Sequence, residues 1–519
     1  MGTKTFNNYE DLLTFTRASK GHALRPVSYG DELVSNGTFD TDTSGWTAGN
    51  NAVLSVSSNR LRVGLNVTDY AYASQSFATE VGKIYVITFN SWGSNQAALW
   101  RLGTALTSNN VYQSAGNSDD NFSWHLAFVA QSATTFLTLY ANSTSNTGYA
   151  EYDNVSVKEV TFDESDGTLT LFEHPNNIPR VEYDADGNRL GLLVEEARTN
   201  LLTYSEDADS WAKTFVTVSQ NTTTAPNKTL TADTVTRNNS GADIRQAISV
   251  TAGNDYTITI FAKADTDAEI QIDVSNSAFN GNDFAGFNVK TGAFVSGGTG
   301  ATYSVVDVGE GWRRYSLTAT CTNTQNTGVI LRIVNDEPVY LWGFQFEQGS
   351  FPTSYIKTTG STATRSADVA SIPVADFGFN SDEMTLFVGF QSNGSDGSDY
   401  PNAVSMWGDS NASKTIRIGL NQSNTLQSVV ANTTNQAVLN HGSYTVNTDS
   451  KVALAVKEND FASSASGASA VADLAGTVPA LDELIIGGWG TGQFINGHIK
   501  SIKYYPRRLT NAQLQDLTS

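Results

Sequence analysis

The sequence predicts an all-β chain divided into several sandwich domains, and three observations lead there. Short runs that alternate apolar and polar residues recur along most of its length, as in Lys83-Ile-Tyr-Val-Ile-Thr-Phe and Thr135-Phe-Leu-Thr-Leu-Tyr, parted by Gly, Asn and Ser clusters at sandwich-like intervals. Only 16% of the residues are charged while glycine numbers 43, a balance that favours strands and turns over amphipathic helices. One pattern also occurs twice, and at 519 residues the chain is too long for one core, so two to four domains are expected.

The repeat has three parts in the same order. Leu33-Val-Ser-Asn-Gly-Thr-Phe-Asp leading to Trp46 is echoed by Leu201-Leu-Thr-Tyr-Ser-Glu-Asp leading to Trp211. Gln75-Ser-Phe followed by Gly82-Lys-Ile-Tyr-Val-Ile-Thr-Phe is echoed by Gln246-Ala-Ile followed by Gly253-Asn-Asp-Tyr-Thr-Ile-Thr-Ile-Phe. Tyr152-Asp-Asn-Val-Ser-Val is echoed by Tyr340-Leu-Trp-Gly-Phe-Gln-Phe. Residues 31–160 and 199–358 are therefore expected to be two copies of one domain, with Trp46 and Trp211 in equivalent core positions. Residues 1–30 read as an N-terminal arm or anchor. Residues 161–198, with Asp166-Gly167 and Asp186-Gly187 as turn signals, read as a linker of two hairpins. Residues 364–519 carry a third set of strands. They end in Leu509-Thr-Asn-Ala-Gln-Leu-Gln-Asp-Leu, where Thr510 and Gln513 make a capping-box pattern and Leu514 and Leu517 share a face, so a short terminal helix on a sheet is expected.

Charge excludes some partners. Acidic residues outnumber basic ones 52 to 31, and no stretch gathers Lys and Arg into the stripe that phosphate backbones need, so neither nucleic acid nor an anionic membrane is expected as partner. No run reaches the roughly 20 apolar residues of a spanning helix. The start lacks the apolar middle of a signal peptide, which fits release by host lysis better than secretion. Cys321, the single cysteine, can form no internal disulfide and reads as a small core residue.

Catalytic chemistry is not legible. His22, His125, His174, His441 and His498 are scattered without metal-ligand spacing, no Gly-x-Ser-x-Gly elbow occurs, and the cluster Gly487-Gly-Trp-Gly-Thr-Gly492 has no following helix to make a phosphate loop. Asp184-Ala-Asp186-Gly-Asn188 with Glu195 imitates a calcium loop, yet Arg189 stands where such loops need glycine, so a hairpin turn is the better reading.

Gly191-Leu-Leu-Val-Glu-Glu-Ala-Arg-Thr-Asn-Leu-Leu-Thr-Tyr-Ser-Glu206, Phe346-Glu-Gln-Gly-Ser-Phe-Pro-Thr-Ser-Tyr-Ile-Lys-Thr-Thr-Gly360 and Thr364-Arg-Ser-Ala-Asp368 resemble segments that lead into and out of a jelly roll in tailed-phage virion proteins. The tail Gly497-His-Ile-Lys-Ser-Ile-Lys-Tyr-Tyr-Pro-Arg-Arg-Leu-Thr-Asn-Ala-Gln-Leu is similar to the close of their concanavalin-like, laminin-G-like sandwiches. The first copy resembles carbohydrate-binding jelly rolls of the family 4/9 type through its Asn-Gly-Thr-Phe-Asp opening and Tyr-Asp-Asn-Val-Ser-Val close.

The resemblance implies tandem jelly rolls followed by a laminin-G-like sandwich in a virion surface protein of the tail or head. It would be a non-enzymatic tail-fibre or tail-tip adhesin for host-surface polysaccharide, with a head fibre or capsid decoration protein as alternative and a depolymerase as a weaker one. Its partners would be a host-surface glycan, other virion proteins and copies of itself, a homotrimer being favoured because linked weak sugar sites gain avidity. In such jelly rolls an acidic residue near the first strand and an Asp entering the last share a structural calcium. The matching positions are Asp40 and Asp153, and Trp342 replaces the second of them in the other copy. Sugar stacking needs flat aromatic faces, for which Trp92, Trp100, Trp124, Tyr70 and Tyr72 are the candidates.

Overall fold

The computed structural model describes residues 13–65, 69–94, 97–114, 122–143, 148–162, 165–274, 277–281, 283–395, 399–408, 413–490 and 492–519. The chain is all β with one short C-terminal helix. It divides into two compact units, residues 26–168 and residues 169–519 with those before Pro26.

β1 (Thr14–Thr16) and β2 (Gly21–Glu32) come first, then β3 (Thr47–Gly49), β4 (Val53–Val56), β5 (Leu61–Gly64), β6 (Asp69–Ala78), β7 (Ile84–Ser94), β8 (Ala97–Gly103), β9 (Tyr112–Gln113), β10 (Phe122–Val129), β11 (Thr134–Ser143) and β12 (Tyr149–Thr161). β3 to β12 form a jelly roll of two antiparallel sheets, ordered β4-β5-β12-β7-β10 and β3-β6-β11-β8-β9. Strand alternation sends Val63, Ile87, Leu137, Leu139 and Val157 inward to one core.

The other unit continues with β13 (Thr168–His174), β14 (Arg180–Tyr183), β15 (Arg189–Val194) and β16 (Arg198–Asn200). The second copy comprises β17 (Ala212–Thr214), β18 (Val216–Thr224), β19 (Leu230–Arg237), β20 (Asp243–Val250), β21 (Asp255–Lys263), β22 (Glu269–Val274), β23 (Phe284–Asn288), β24 (Phe294–Gly297), β25 (Ala301–Gly309), β26 (Trp312–Thr320), β27 (Gln325–Ile333) and β28 (Val339–Gln348). Its sheets run β18-β19-β28-β21-β26-β25 and β17-β20-β27-β22-β23-β24. This is the strand order of the first copy with one strand added at an edge of each sheet.

The same local devices recur in both copies. The indole N–H of Trp46 donates to the Asn36 carbonyl (3.2 Å) and that of Trp211 to the Tyr204 carbonyl (3.3 Å), and both acceptor residues have left-handed backbones. The Gln75 amide exchanges two hydrogen bonds with the Ser35 backbone, as Gln246 does with Thr203. Tyr85 accepts from the Glu80 N–H and Tyr256 from the Thr251 N–H, each across a turn whose glycine, Gly82 or Gly253, has positive φ. Cys321 is buried, and its carbonyl accepts from the Gly253 N–H as that of Ala130 does from Gly82.

The final sandwich takes β29 (Ala363–Arg365), β30 (Val369–Pro373), β31 (Glu383–Ser392), β32 (Asn402–Trp407), β33 (Lys414–Leu420), β34 (Thr425–Asn432), β35 (Thr434–Ser443), β36 (Ser450–Lys457), β37 (Phe461–Ala465), β38 (Val471–Asp473), β39 (Glu483–Ile486), β40 (Gly497–Tyr505) and α1 (Asn511–Thr518). Its seven-stranded sheets are β1-β30-β39-β32-β33-β34-β35 and β14-β15-β40-β31-β36-β37-β38. Two expected segments take a different role here. Of the N-terminal arm, residues 1–12 lie outside the described residues, while β1 pairs with β30 and buries Phe15 in the sandwich core. The β14–β15 hairpin of the linker joins the other sheet through β40 and buries Val194. The sandwich is thus completed from upstream, with the second copy inserted between β15 and β30. β16 and β29 pair where the chain enters and leaves that insertion.

At this junction lies a buried ionic cluster. Arg180 donates to Glu195 (2.8 Å), Asp368 (2.5 Å), Ser354 Oγ (2.6 Å) and the His22 carbonyl (2.9 Å). Arg17 reaches the other Asp368 oxygen at 3.1 Å, and Arg365 approaches Glu195 at 3.5 Å. The calcium-loop lookalike is a hairpin turn, in which Asp184 accepts from the Asp186 and Asn188 N–H groups, and Glu195 belongs to the ionic cluster. The terminal helix carries the full capping box of Thr510 and Gln513, and Leu514 packs on Phe387, Ala453 and Ala462.

Candidate functional site

The outer face of β3-β6-β11-β8-β9 carries the first jelly roll's aromatic surface. Ala71, Ala73, Leu137, Leu139, Trp100 and Leu102 take the inward positions, so Tyr70, Tyr72, Tyr140, Thr138 and Arg101 fall on the other side. The register sets Tyr72 opposite Tyr140 and Tyr70 opposite Asn142. The Tyr70 and Tyr72 rings lie 5.9 and 5.6 Å from that of Tyr140, both tilted. Tyr70 is exposed and Tyr140 is almost wholly covered. Gly49 sits under the Tyr72 ring, where a Cβ would come within 2.0 Å of it, so only glycine lets the ring lie there.

Polar groups surround the three rings. Arg101 places its Cζ 4.9 Å from the Tyr140 centroid and donates to the Tyr140 hydroxyl at 3.3 Å. Burial pushes the Tyr140 hydroxyl up, with Arg101 opposing, so it stays a neutral donor at neutral pH. Asn142 and Gln113 are exposed on the same face, Gln113 opposite Arg101. Among the described residues Thr138 Oγ1 and Arg101 Nε are buried without a hydrogen-bond partner, so the face holds unused polar capacity. No described side chain of β6, β8 or β11 on this face is a carboxylate.

The three tryptophans do not share a surface. Trp100 points inward and is fully buried, in contact with Phe89, Tyr112 and Trp124. Trp124 also faces the core side, half-buried, with its indole N–H on Ser91 Oγ at 2.9 Å. Trp92 lies on the outer face of the opposite sheet, where the Arg60 guanidinium covers its ring at 3.6 Å. Arg62 covers Tyr149 in the same way at 3.7 Å, and Glu151 pairs with both arginines. A sugar could stack on that side of Trp92 only by displacing Arg60. Tyr140 escaped the sequence reading, although it shares the polar phase of β11 with Thr138 and Asn142 while Leu137 and Leu139 occupy the apolar phase.

The second copy does not repeat the aromatic face. The position of the Tyr72–Tyr140 pair is taken by Asp243 and Arg332, and beside them Arg245 pairs with Asp243 and Arg332 with Asp273.

Asp40 and Asp153 are brought near enough that the Asp40 charge, after burial, helps push the Asp153 carboxyl up. Thr38 Oγ1 donates to Asp40 at 2.8 Å and the Asn154 N–H to Asp153 at 2.7 Å. Two neighbouring carboxylates suit a hard cation in charge and donor type. Among the described residues no third Asp, Glu, His or Cys joins them. Trp342, at the equivalent position in the second copy, is buried against Phe261 and Tyr355 with its N–H on Thr231 Oγ1.

His441 Nε2 lies 2.9 Å from Ser463 Oγ, but Ser463 is fully buried and its hydroxyl donates to the Ala453 carbonyl. Burial holds the imidazole down to about 4. The pair is structural, because no substrate can reach the hydroxyl.

No family model matches the chain. No curated protein matches it. Among solved structures, a family 4 carbohydrate-binding module is 14% identical over 24% of this chain and 99% of its own, with a TM-score of 0.22. A tandem of family 22 carbohydrate-binding modules from Paenibacillus barcinonensis is 12% identical over 62% of this chain and 98% of its own, at 0.22. The LG4–5 pair of the mouse laminin α1 chain is 8% identical over 52% and 88%, at 0.21.

Proposed function

We propose that this chain is a non-catalytic glycan-binding protein whose first jelly roll holds a polysaccharide on the Tyr70–Tyr72–Tyr140 face, and that it serves a tailed-phage particle as an adhesin for the host surface. The observation that carries the binding reading is the combination on one face of tilted aromatic rings, exposed amides and buried polar atoms without partners. Aromatic faces stack on sugar C–H patches while amides and hydroxyls bond the ring hydroxyls. The phage assignment is supported by the sequence segments 191–206, 346–368 and 497–514 alone, and an image of a particle labelled at its distal tail tests it.

Binding is tested by adsorption of the purified chain to host-cell polysaccharide. Tyr72→Ala should weaken adsorption by about tenfold or more, the order of one lost stacking contact together with its ordered neighbours, while the melting transition is retained. Release of reducing ends would make the chain an enzyme, and unaltered adsorption of Tyr72→Ala would remove this face from the reading.

A structural calcium at Asp40 and Asp153 is part of the same proposal. An ion that binds only the folded form stabilises it by about 2.7 kcal/mol at a hundred times its dissociation constant. Chelator should therefore lower the melting temperature of residues 26–168 in the intact chain, and Asp153→Asn should abolish that sensitivity. An identical transition with and without chelator discards the ion.

A further inference from the structure

The outer face of the C-terminal sandwich holds a second constellation, unrelated to the tyrosine face. On β32 and β33, Val404, Met406, Ile416 and Ile418 fill the core, which leaves Ser405, Trp407, Thr415 and Arg417 on the opposite side. The register places Ser405 opposite Arg417 and Trp407 opposite Thr415, so the indole and the guanidinium are diagonal neighbours on adjacent strands. Ser405, itself fully buried, donates to the Gly488 carbonyl at 2.7 Å and ties down the turn that carries Trp489. The Trp489 and Trp407 rings meet edge to face at 6.2 Å. Gly490, with φ of 64°, lies on the Trp407 ring, where a Cβ would come within 2.3 Å.

Two features of this face lack an internal explanation. The indole N–H groups of Trp407 and Trp489 are both buried and have no acceptor among the described residues. Arg417 is half-buried with its Cζ 5.2 Å from the Tyr400 ring centroid, and among the described residues it makes no hydrogen bond and no ion pair. Burial pulls its guanidinium down, with only Tyr400 opposing. In a chain with 52 acidic residues, a partly desolvated arginine without a carboxylate is not explained by a shortage of partners. Glu483, opposite Trp407 on β39, lies on the far side of the indole from β33. The constellation thus sets two indole N–H groups and a guanidinium around one aromatic face, with the Glu483 carboxylate to one side.

We propose that this face is a second carbohydrate site and that it takes a carboxylated sugar, the carboxylate held by Arg417 and the ring laid on Trp407. A guanidinium fork matches a carboxylate in a bidentate way that an ammonium does not, and an indole face stacks on pyranose C–H groups. Glu483 accepts from a ring hydroxyl. The site lies on a different domain from the tyrosine face, where the guanidinium of Arg101 is already engaged by the Tyr140 hydroxyl and the Thr107 carbonyl.

The test is calorimetric titration of the full chain with a galacturonate trisaccharide, with its neutral methyl ester, and with an N-acetylneuraminyl-lactose to tell hexuronate from nonulosonate. The acid form of one of the two carboxylated sugars should saturate the protein. The methyl ester should bind at least about tenfold more weakly than the acid trisaccharide if hexuronate is the ligand, and high salt should weaken binding of the acid form. Arg417→Gln should lower affinity for the carboxylated sugar by about tenfold or more, whereas Tyr72→Ala should leave it unchanged. Saturation by neither acid, or equal affinity of acid and ester when hexuronate binds, overturns the proposal without any variant. Wild-type affinity in a folded Arg417→Gln chain overturns it as well. Loss of binding in Tyr72→Ala would transfer the ligand to the first jelly roll.

Discussion

Asp368→Ala should destabilise the unit that contains the C-terminal sandwich by about 3–5 kcal/mol, the cost of stranding buried charge. Asp368 is fully buried and holds Arg17 with one oxygen and Arg180 with the other, while Arg365 stands at 3.8 Å. Glu195 is the second carboxylate among these three arginines. Burial alone would raise its carboxyl, but Arg365 and Arg180, with two hydrogen bonds from Ser354, hold it well below the usual carboxylate range. The cluster is therefore charged at neutral pH, and removing Asp368 leaves three guanidinium groups facing one carboxylate in a dry site. The same residues tie β1, the β14–β15 hairpin and the chain on leaving the second copy to one another, so the loss should appear as earlier unfolding of that whole unit in denaturant. Asp336→Ala provides the contrast, since the Asp336 carboxylate that pairs with Arg237 is exposed and water can take its place, so the curve should be little moved. A native-like curve for Asp368→Ala would mean that the cluster contributes no net stability.

Much of this fold was legible because its signals are local. Period-two runs locate strands, the Trp46 and Trp211 echoes locate the repeat, and Thr510 with Gln513 locates the helix start, since each depends on residues close in sequence. The path of the sandwich was not legible. Phe15 and Val194 look like any short apolar stretch, and nothing near them in sequence shows that their partners are β30 and β40, far downstream. The segments 191–206, 346–360 and 364–368 read, by resemblance, only as the way into and out of a jelly roll, yet Glu195, Ser354, Arg365 and Asp368 are the interior of the junction. Paired charges can be buried where single ones cannot, and pairing across such separations leaves no periodicity to read.

The candidate site was legible in part for a related reason. Aromatic residue type flagged Tyr70 and Tyr72, but it also flagged Trp100, and type alone does not say which side of a strand faces the core. Phase does: Trp100 shares its phase with Ala98 and Leu102, both buried. Tyr140 and Arg101 were within reach of the same reasoning, whereas Arg60 lying over Trp92 was not, because it depends on a pairing between β5 and β12.

Trp100→Ala should therefore be a folding variant and not a binding variant, at a cost of about 3–5 kcal/mol for an emptied indole site in a close-packed core. The ring is fully buried, 4.5 Å from Tyr112, 5.1 Å from Phe89 and 5.3 Å from Trp124 between centroids, so its removal exposes a void lined by aromatic edges that cannot all move inward. Its indole N–H has no acceptor, and losing that unsatisfied donor returns about 1 kcal/mol or more, which places the expected value toward the lower end of the range. Trp92→Ala removes only an outward ring and its contact with Arg60, an interaction of about 0.5–1 kcal/mol at such sites. Native-state hydrogen exchange in the intact chain separates these outcomes: amides of Ile87, Leu137 and Leu139 should lose protection strongly in Trp100→Ala, slightly in Trp92→Ala, and not measurably in Tyr72→Ala, the one of the three expected to lose glycan binding while folded. If Trp100→Ala keeps full protection and loses adsorption instead, Trp100 faces outward on β8 and the tryptophans, not the tyrosines, form the sugar platform.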